Sequence, residues 1–171
     1  KRIKTLLQHD INLYAYHLPL DIHPSLGNNA QLAQLLGIVD VSPLEENNPQ
    51  SVVMQGRFVD GISPSELNLL LAKTLSKTPL HEPACQSKIH TVAWCTGGGQ
   101  SYIDLAASNN IDAFITGEVS EQTIHTAREM DIHFFAAGHH ATERYGVKAL
   151  GEYIQKELNV EVVFKDIDNP A

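Results

Sequence analysis

Gly138-His139-His140-Ala141-Thr142-Glu143 follows an apolar run, Ile132-His133-Phe134-Phe135-Ala136-Ala137, and leads into an amphipathic helical pattern. His139 and Glu143 stand four residues apart, so a helix presents them on one face, where both can reach one cation. The other reading of the same spacing is a histidine at the helix start and an acid in its first turn, where the helix dipole favours negative charge. His140 points elsewhere and reads as a packing or supporting neighbour. A second constellation, Tyr16-His17-Leu18-Pro19-Leu20-Asp21, ends another strand-like run. There Asp21 either ligates a cation or stabilises the following turn through its own backbone. Imidazole and carboxylate at each of two strand ends are the donors a metal-assisted site needs.

Glu118, in Thr116-Gly117-Glu118, stands at a third strand end. It reads as a general acid or base, or simply as the residue ahead of a helix N-cap at Ser120. His125 falls within that helix and reads as an ordinary helix histidine. Thr96-Gly97-Gly98-Gly99 joins a strand to a helix, and such a turn can aim backbone N–H groups at an anion. It lacks both the G-x-x-x-x-G-K-[ST] and the G-x-G-x-x-G patterns, so a tight turn with close helix–strand approach is the default. No G-x-S-x-G elbow and no H-E-x-x-H occur. The histidines at 9, 81, 90 and 133 have no partner at ligand spacing.

These residues need elements to hold them. From Ile89 onward the pattern is strand, turn, helix, repeated: strands at 89–95, 111–116 and 132–137, helices to Ser108, at 120–130 and at 142–158, and a last short strand at 160–164. Such alternation predicts an α/β fold with a mainly parallel sheet flanked by helices, and ligands collect at the carboxyl ends of such strands. Earlier in the chain, helix is expected at 1–8 and strand at 11–17. A proline-bearing loop then runs from Leu18 to Ser25, and Gly27-Asn28-Asn29 opens a helix to Leu36 with asparagine as the N-cap and Gly37 as its stop. Between Asp40 and His90 a polar loop, a strand at 51–59 and a helix opened by the capping box Ser63-Pro64-Ser65-Glu66 read as a small α+β insertion. The expected division is thus 1–38 as the end of an N-terminal α/β lobe, 39–88 as the insertion and 89–171 as a C-terminal α/β lobe.

At 171 residues the chain suits one ordinary domain or two small ones, and 43% hydrophobic residues suit a packed core. A net charge of −8 without a Lys/Arg cluster argues against a nucleic-acid partner. The two cysteines, Cys85 and Cys95, form no C-x-x-C pair, so neither a zinc ribbon nor a disulfide framework is suggested. Cys95 reads as a buried thiol. No apolar run reaches transmembrane length and no signal-peptide pattern is seen, so a reducing, cytoplasmic setting without a membrane is expected. The chain opens Lys1-Arg2-Ile3-Lys4-Thr5-Leu6-Leu7, already in helical period. That is how entry into the middle of a helix looks, and the sequence is expected to be part of a longer protein.

Four stretches in order resemble the Nif3-like family, often labelled homologues of GTP cyclohydrolase I type 2. They are Tyr16-His17-Leu18-Pro19-Leu20-Asp21-Ile22-His23-Pro24 with Gly27-Asn28-Asn29-Ala30-Gln31-Leu32-Ala33; Trp94-Cys95-Thr96-Gly97-Gly98-Gly99-Gln100; Asp112-Ala113-Phe114-Ile115-Thr116-Gly117-Glu118; and Gly138-His139-His140-Ala141-Thr142-Glu143. The nearest likeness is to short bacterial members, without the larger insertion. The resemblance implies a two-lobed fold, a dinuclear site and a homohexameric ring built as a trimer of dimers. It implies Asp21, His139 and Glu143 as metal ligands, with two divalent ions (Zn, Mn, Fe or Co) as cofactors. The family's N-terminal His-His pair has no counterpart here, since His139-His140 fills the later motif; half of the site is expected before Lys1. A metal-dependent hydrolase acting on a nucleotide follows as the expected function, with His17 and Glu118 as candidates for catalytic proton transfer. The reaction its label implies is attack on the purine imidazole carbon with release of formate. The rival expectation is a non-catalytic metal-binding scaffold or regulatory protein.

Overall fold

Ile89–Cys95, Ala113–Thr116 and His133–Ala136 are buried strands in a chain that the computed structural model describes over residues 1–171. Their apolar residues alternate between two cores, as the period of two requires. Val92, Trp94, Ile115 and Phe135 face one core, while Ala93, Cys95, Phe114 and Phe134 face the other. Continuous apolar strands of this kind suit a parallel sheet covered on both faces.

In chain order the elements are α1 (Arg2–Gln8), α2 (Pro19–Ile22), α3 (Asn28–Leu36), β1 (Val39–Pro43), β2 (Met54–Ile62), α4 (Pro64–Leu75), β3 (Leu80–Glu82) and β4 (Ile89–Cys95). A 3-10 turn, Gln100–Tyr102, then leads to α5 (Ile103–Ser108), β5 (Ala113–Thr116), α6 (Glu121–Glu129), β6 (His133–Ala136) and α7 (His139–Leu158). One six-stranded sheet has the order β1-β2-β4-β5-β6-β3. Its centre is parallel, β4 with β5 and β5 with β6. Its sides are antiparallel: β1 and β2 on one, β3 on the other. The fold is therefore α/β as expected, and its parallel portion is the part whose strand–turn–helix rhythm was legible.

The 39–88 segment is α+β in content, yet it does not stand apart as an insertion. Its three strands join the main sheet, and Phe58, Leu67, Leu71 and Leu75 share a core with Ile89, Val92 and Trp94. Two of those strands, β1 and β3, have no counterpart among the expected elements. The short β3 lies between Pro79 and Pro83 and is defined by its pairing with Phe134–Ala136.

Ile11–His17 and Val160–Phe164, both expected as strands, are irregular. Each has the β-rich composition of a strand, but neither meets a sheet edge that would take up its backbone hydrogen bonds. The expected loop 18–25 holds one helical turn, α2. The N-cap of α3 is Gly27 and not an asparagine, with no side-chain cap. Tyr102 caps α5, also without a side-chain bond. The box at Ser63–Glu66 forms as expected, and a second at Ser120 uses Thr123. No helix is long and apolar enough to cross a membrane.

Candidate functional site

The parallel strands end in register, Cys95 beside Thr116 and Thr116 beside Ala136. The three loops that follow them therefore leave the sheet at one level and press together. Gly117 N–H donates to Gly97 O at 2.8 Å, and Gly138 N–H donates to Gly117 O at 3.0 Å. A Cβ on Gly117 would lie 2.6 Å from both Gly97 O and His139 Cα, so glycine is needed for this approach.

Those loops deliver Glu118 and His139 to each other. His139 Nδ1 lies 2.6 Å from Glu118 Oε1, and its Nε2 lies 3.1 Å from Glu143 Oε2. His139 and Glu143 do share a face of α7, as their spacing requires. Burial opposes a charge on the His139 ring, but the hydrogen bond to Glu118 and the charges of Glu143 and Glu118 outweigh it and raise its pKa. The hydrogen bond with His139, above all, lowers the pKa of Glu118. Glu118 thus stays ionised against an imidazole, the arrangement in which a carboxylate fixes the tautomer and orientation of a ring. Burial raises the pKa of Glu143; His139 pulls it down and the charge of Asp21 pushes it up, with a net rise.

Asp21 comes from α2, where Pro19 sets the first turn. Its side chain is 9% exposed and receives a 2.7 Å hydrogen bond from Asn28 Nδ2. Asn28 Oδ1 in turn accepts from Gly146 N–H of α7 at 2.7 Å. Asn29 performs a similar task toward the sheet. Its Oδ1 accepts from Thr96 N–H at 3.1 Å, its Nδ2 donates to Val52 O, and its carbonyl accepts from Trp94 Nε1. Sequence reasoning assigned these asparagines to capping and missed both roles. The one available signal was a pair of adjacent asparagines at a helix start that needs only one cap.

His17, Asp21, His139 and Glu143 line one cavity of about 390 Å³. Four of the five expected site residues therefore meet there, and the fifth, Glu118, touches it through His139. His17 is exposed at the cavity wall and makes no hydrogen bond within the chain. His140 faces away and pairs with Asp166 at 3.1 Å, while His125 lies on the exposed face of α6 near Glu121. Cys95 is a buried thiol whose pKa burial pushes up to about 12, aided by Asp21 and Glu143, so it is no nucleophile.

The Thr96–Gly99 turn is a packing device and not an anion cradle. Three of its four N–H groups are already given away: Thr96 to Asn29 Oδ1, Gly97 to Thr142 Oγ1 at 3.0 Å, and Gly99 to Thr116 Oγ1 at 3.0 Å. Gly97 has φ +68°, and any Cβ there would run into Glu143 Oε1 and come 3.1 Å from His139 Nε2.

No three imidazole, thiol or carboxylate groups are gathered into a cation-holding cluster, and His139 Nε2 and Glu143 Oε2 hydrogen-bond to each other directly. The donor set nevertheless suits a divalent cation. Asp21 and Glu143 are close enough for their charges to interact, both are at least half-buried, and Gly97 carries no side chain to displace Glu143 or His139. Burying two such carboxylates is costly without a neighbouring positive charge.

A family model described as Duf34/NIF3 (NGG1p interacting factor 3) matches residues 1–170. The chain is similar to a protein of Vibrio cholerae serotype O1 described as "GTP cyclohydrolase 1 type 2 homolog". They are 59% identical over 173 residues, which is 100% of this chain and 68% of the relative. Among solved structures, it is similar to the protein ybgI, described as of unknown function, at 53% identity with a TM-score of 0.94. That match covers 99% of this chain and 67% of the other. It is also similar to TTHA1606 from Thermus thermophilus at 32% identity and a TM-score of 0.86, over 99% and 66% of the two chains. The chain spans about two thirds of the length of these relatives.

Proposed function

The chain belongs to the DUF34/NIF3 family, and from that premise we propose that it binds divalent cations through Asp21, His139 and Glu143 and acts as a metal-dependent hydrolase on a nucleotide. The observation that carries this reading is the meeting of Asp21 with His139 and Glu143 at one cavity, from stretches of chain more than a hundred residues apart. The substrate class rests on the relatives described as GTP cyclohydrolase 1 type 2 homologues. Assembly into a homohexameric ring belongs to the same proposal.

When bound, a divalent cation supplies Lewis-acid polarisation of the attacked group. Mixed imidazole and carboxylate donors suit Zn, Mn, Fe or Co, and a second ion of a pair would need ligands beyond these three. Glu118 holds the His139 ring in one orientation through Nδ1 and leaves Nε2 facing the cavity. Asp21, keyed by Asn28, contributes a fixed negative charge. Leu18 and Val52 make part of the wall apolar. His17, exposed at that wall, is placed to accept a proton from attacking water or to deliver one to a departing ring nitrogen. On GTP, one water would add at the imidazole carbon and open the ring to a formamide, and a second would hydrolyse that formamide to formate and a free amine.

Calorimetric titration with each cation, followed by assay against GTP and related nucleotides, tests this. Saturable cation uptake lost in Asp21→Ala, with formate released by the loaded protein, is the expected result. Uptake without turnover of any nucleotide would leave a non-catalytic metal-binding scaffold as the function. Unchanged uptake in Asp21→Ala would remove the site itself.

A further inference from the structure

Three cavities meet at Glu143, and their walls differ in charge. One of about 720 Å³ runs between residues 14–17 and α7 and includes Lys148 and Lys165. A second of about 350 Å³ is lined by His140, Arg144 and Lys165. The third, of about 390 Å³, has no lysine or arginine on its wall. Asp21, His139 and Glu143 form one side of it. The rest of its wall includes Leu18, Val52, Thr96 and Tyr102, all neutral.

That neutral side has hydrogen-bonding capacity which the protein does not use. Thr96 is 6% exposed, and its Oγ1 is buried without any partner. Buried polar side chains are almost always paired, so this hydroxyl at the cavity wall has hydrogen-bonding capacity to spare. Tyr102 is half-buried, and its hydroxyl makes no hydrogen bond within the protein. Asn29 and Cys95 beside them are committed, Asn29 to Val52 O and Thr96 N–H and Cys95 Sγ to Thr96 O.

We propose that this neutral wall receives the uncharged planar ring of the ligand, a nucleobase-like heterocycle, stacked on Tyr102 and hydrogen-bonded at its edge by Thr96. The inference rests on reading the cavity as a substrate site and specifies which part of the substrate enters it. A flat heterocycle offers a face to an aromatic ring and edge N–H and C=O groups to a hydroxyl that both donates and accepts. A polyphosphate in the same space would face Asp21 and Glu143 with no lysine or arginine to neutralise it and only the imidazoles of His17 and His139 as basic groups. The ligand's anionic groups lie outside this cavity, on the side of the basic residues across Glu143. Thr96 and Tyr102 are then positioning residues that set specificity for the ring.

The test is equilibrium binding of guanosine and adenosine, which carry no phosphate, and separately of inorganic tripolyphosphate, to the protein without added cation. Saturable nucleoside binding that tripolyphosphate does not displace is expected. Tyr102→Leu should weaken it about tenfold or more, and Tyr102→Phe should keep most of it. Thr96→Val should weaken it about fivefold without lowering the melting temperature, since the variant removes an unpartnered buried hydroxyl. A purely structural Thr96 would show the opposite pattern, a lower melting temperature with affinity intact. Absence of nucleoside binding, displacement by tripolyphosphate, or unchanged affinity in both Thr96→Val and Tyr102→Leu would overturn the proposal. Cation uptake is read in a separate titration without nucleoside, so failure of the metal site and failure of ring recognition are distinguishable.

Discussion

Asn28 donates a 2.7 Å hydrogen bond to the buried carboxylate of Asp21 while its own oxygen accepts from Gly146 N–H in the middle of α7. One carboxamide thus fixes the distance between α2, which carries Asp21, and the helix that carries Glu143. Asn28→Ala would leave a buried carboxylate and a buried helical N–H without partners. The expected cost is about 2–4 kcal/mol, read as a lowered urea midpoint. Divalent-cation affinity should fall with it even though no proposed ligand is changed. A loss below about 1 kcal/mol would show that the bridge is incidental.

The helical partners His139 and Glu143 were legible because four-residue spacing on a helix is a local property. The meeting of Asp21 with Glu143 was not, since it depends on Asn28 spanning more than a hundred residues. The family resemblance supplied it instead. Strand assignment failed at Ile11–His17 and Val160–Phe164 for a related reason: β-propensity marks a segment able to pair, while pairing itself needs a free edge. The reverse held for β3, whose Leu80–Glu82 lies between prolines and exists because Phe134–Ala136 offers an edge. His81 and His133 had no partner at ligand spacing, yet their ring nitrogens lie 3.3 Å apart across that same pair of strands.

Gly97 has φ +68° and lies against Glu143 and His139. Gly97→Ala is expected to cost about 1–3 kcal/mol for a left-handed conformation in a non-glycine residue. Its methyl group would also displace the Glu143 carboxylate, so cation affinity should fall further than stability alone explains. Calorimetric titration at a temperature where the variant is fully folded checks this. Unchanged affinity there would mean that Glu143 has room to move without consequence.

His81 stacks on Phe135 with ring centroids 4.2 Å apart. Its pKa lies below the ordinary 6.5 because burial disfavours the cation and His133 repels it, with Glu82 acting in the opposite direction. As pH falls, the unfolded chain takes up this proton before the folded one does. Stability from His81 is therefore complete above 6.5 and is lost as pH drops through the window beneath it. The urea midpoint should decline as pH falls below about 6.5, and the decline should be shallower in His81→Phe, which keeps the stack and removes the titration. Parallel pH profiles for the two proteins would assign the acid sensitivity elsewhere.

Thr142 and Thr116 hold Gly97 from two sides. Thr142 Oγ1 accepts from Gly97 N–H at 3.0 Å and donates to Gly138 O at 2.9 Å. Thr116 Oγ1 accepts from Gly99 N–H and donates to Gly97 O at 3.1 Å. Both residues are fully buried, so valine at either site strands backbone groups that cannot reach water. Each single variant should lose about 1–3 kcal/mol. Because both hydroxyls anchor one turn, the double variant should lose measurably less than the sum, with a coupling of about 0.5–1 kcal/mol or more in a double-mutant cycle. Once the first anchor is gone the turn is free to shift, and the second has less left to hold. Strict additivity would mean that the two hydroxyls stabilise separate structures, and that the Thr96–Gly99 turn does not act as the single rigid floor beneath His139 and Glu143.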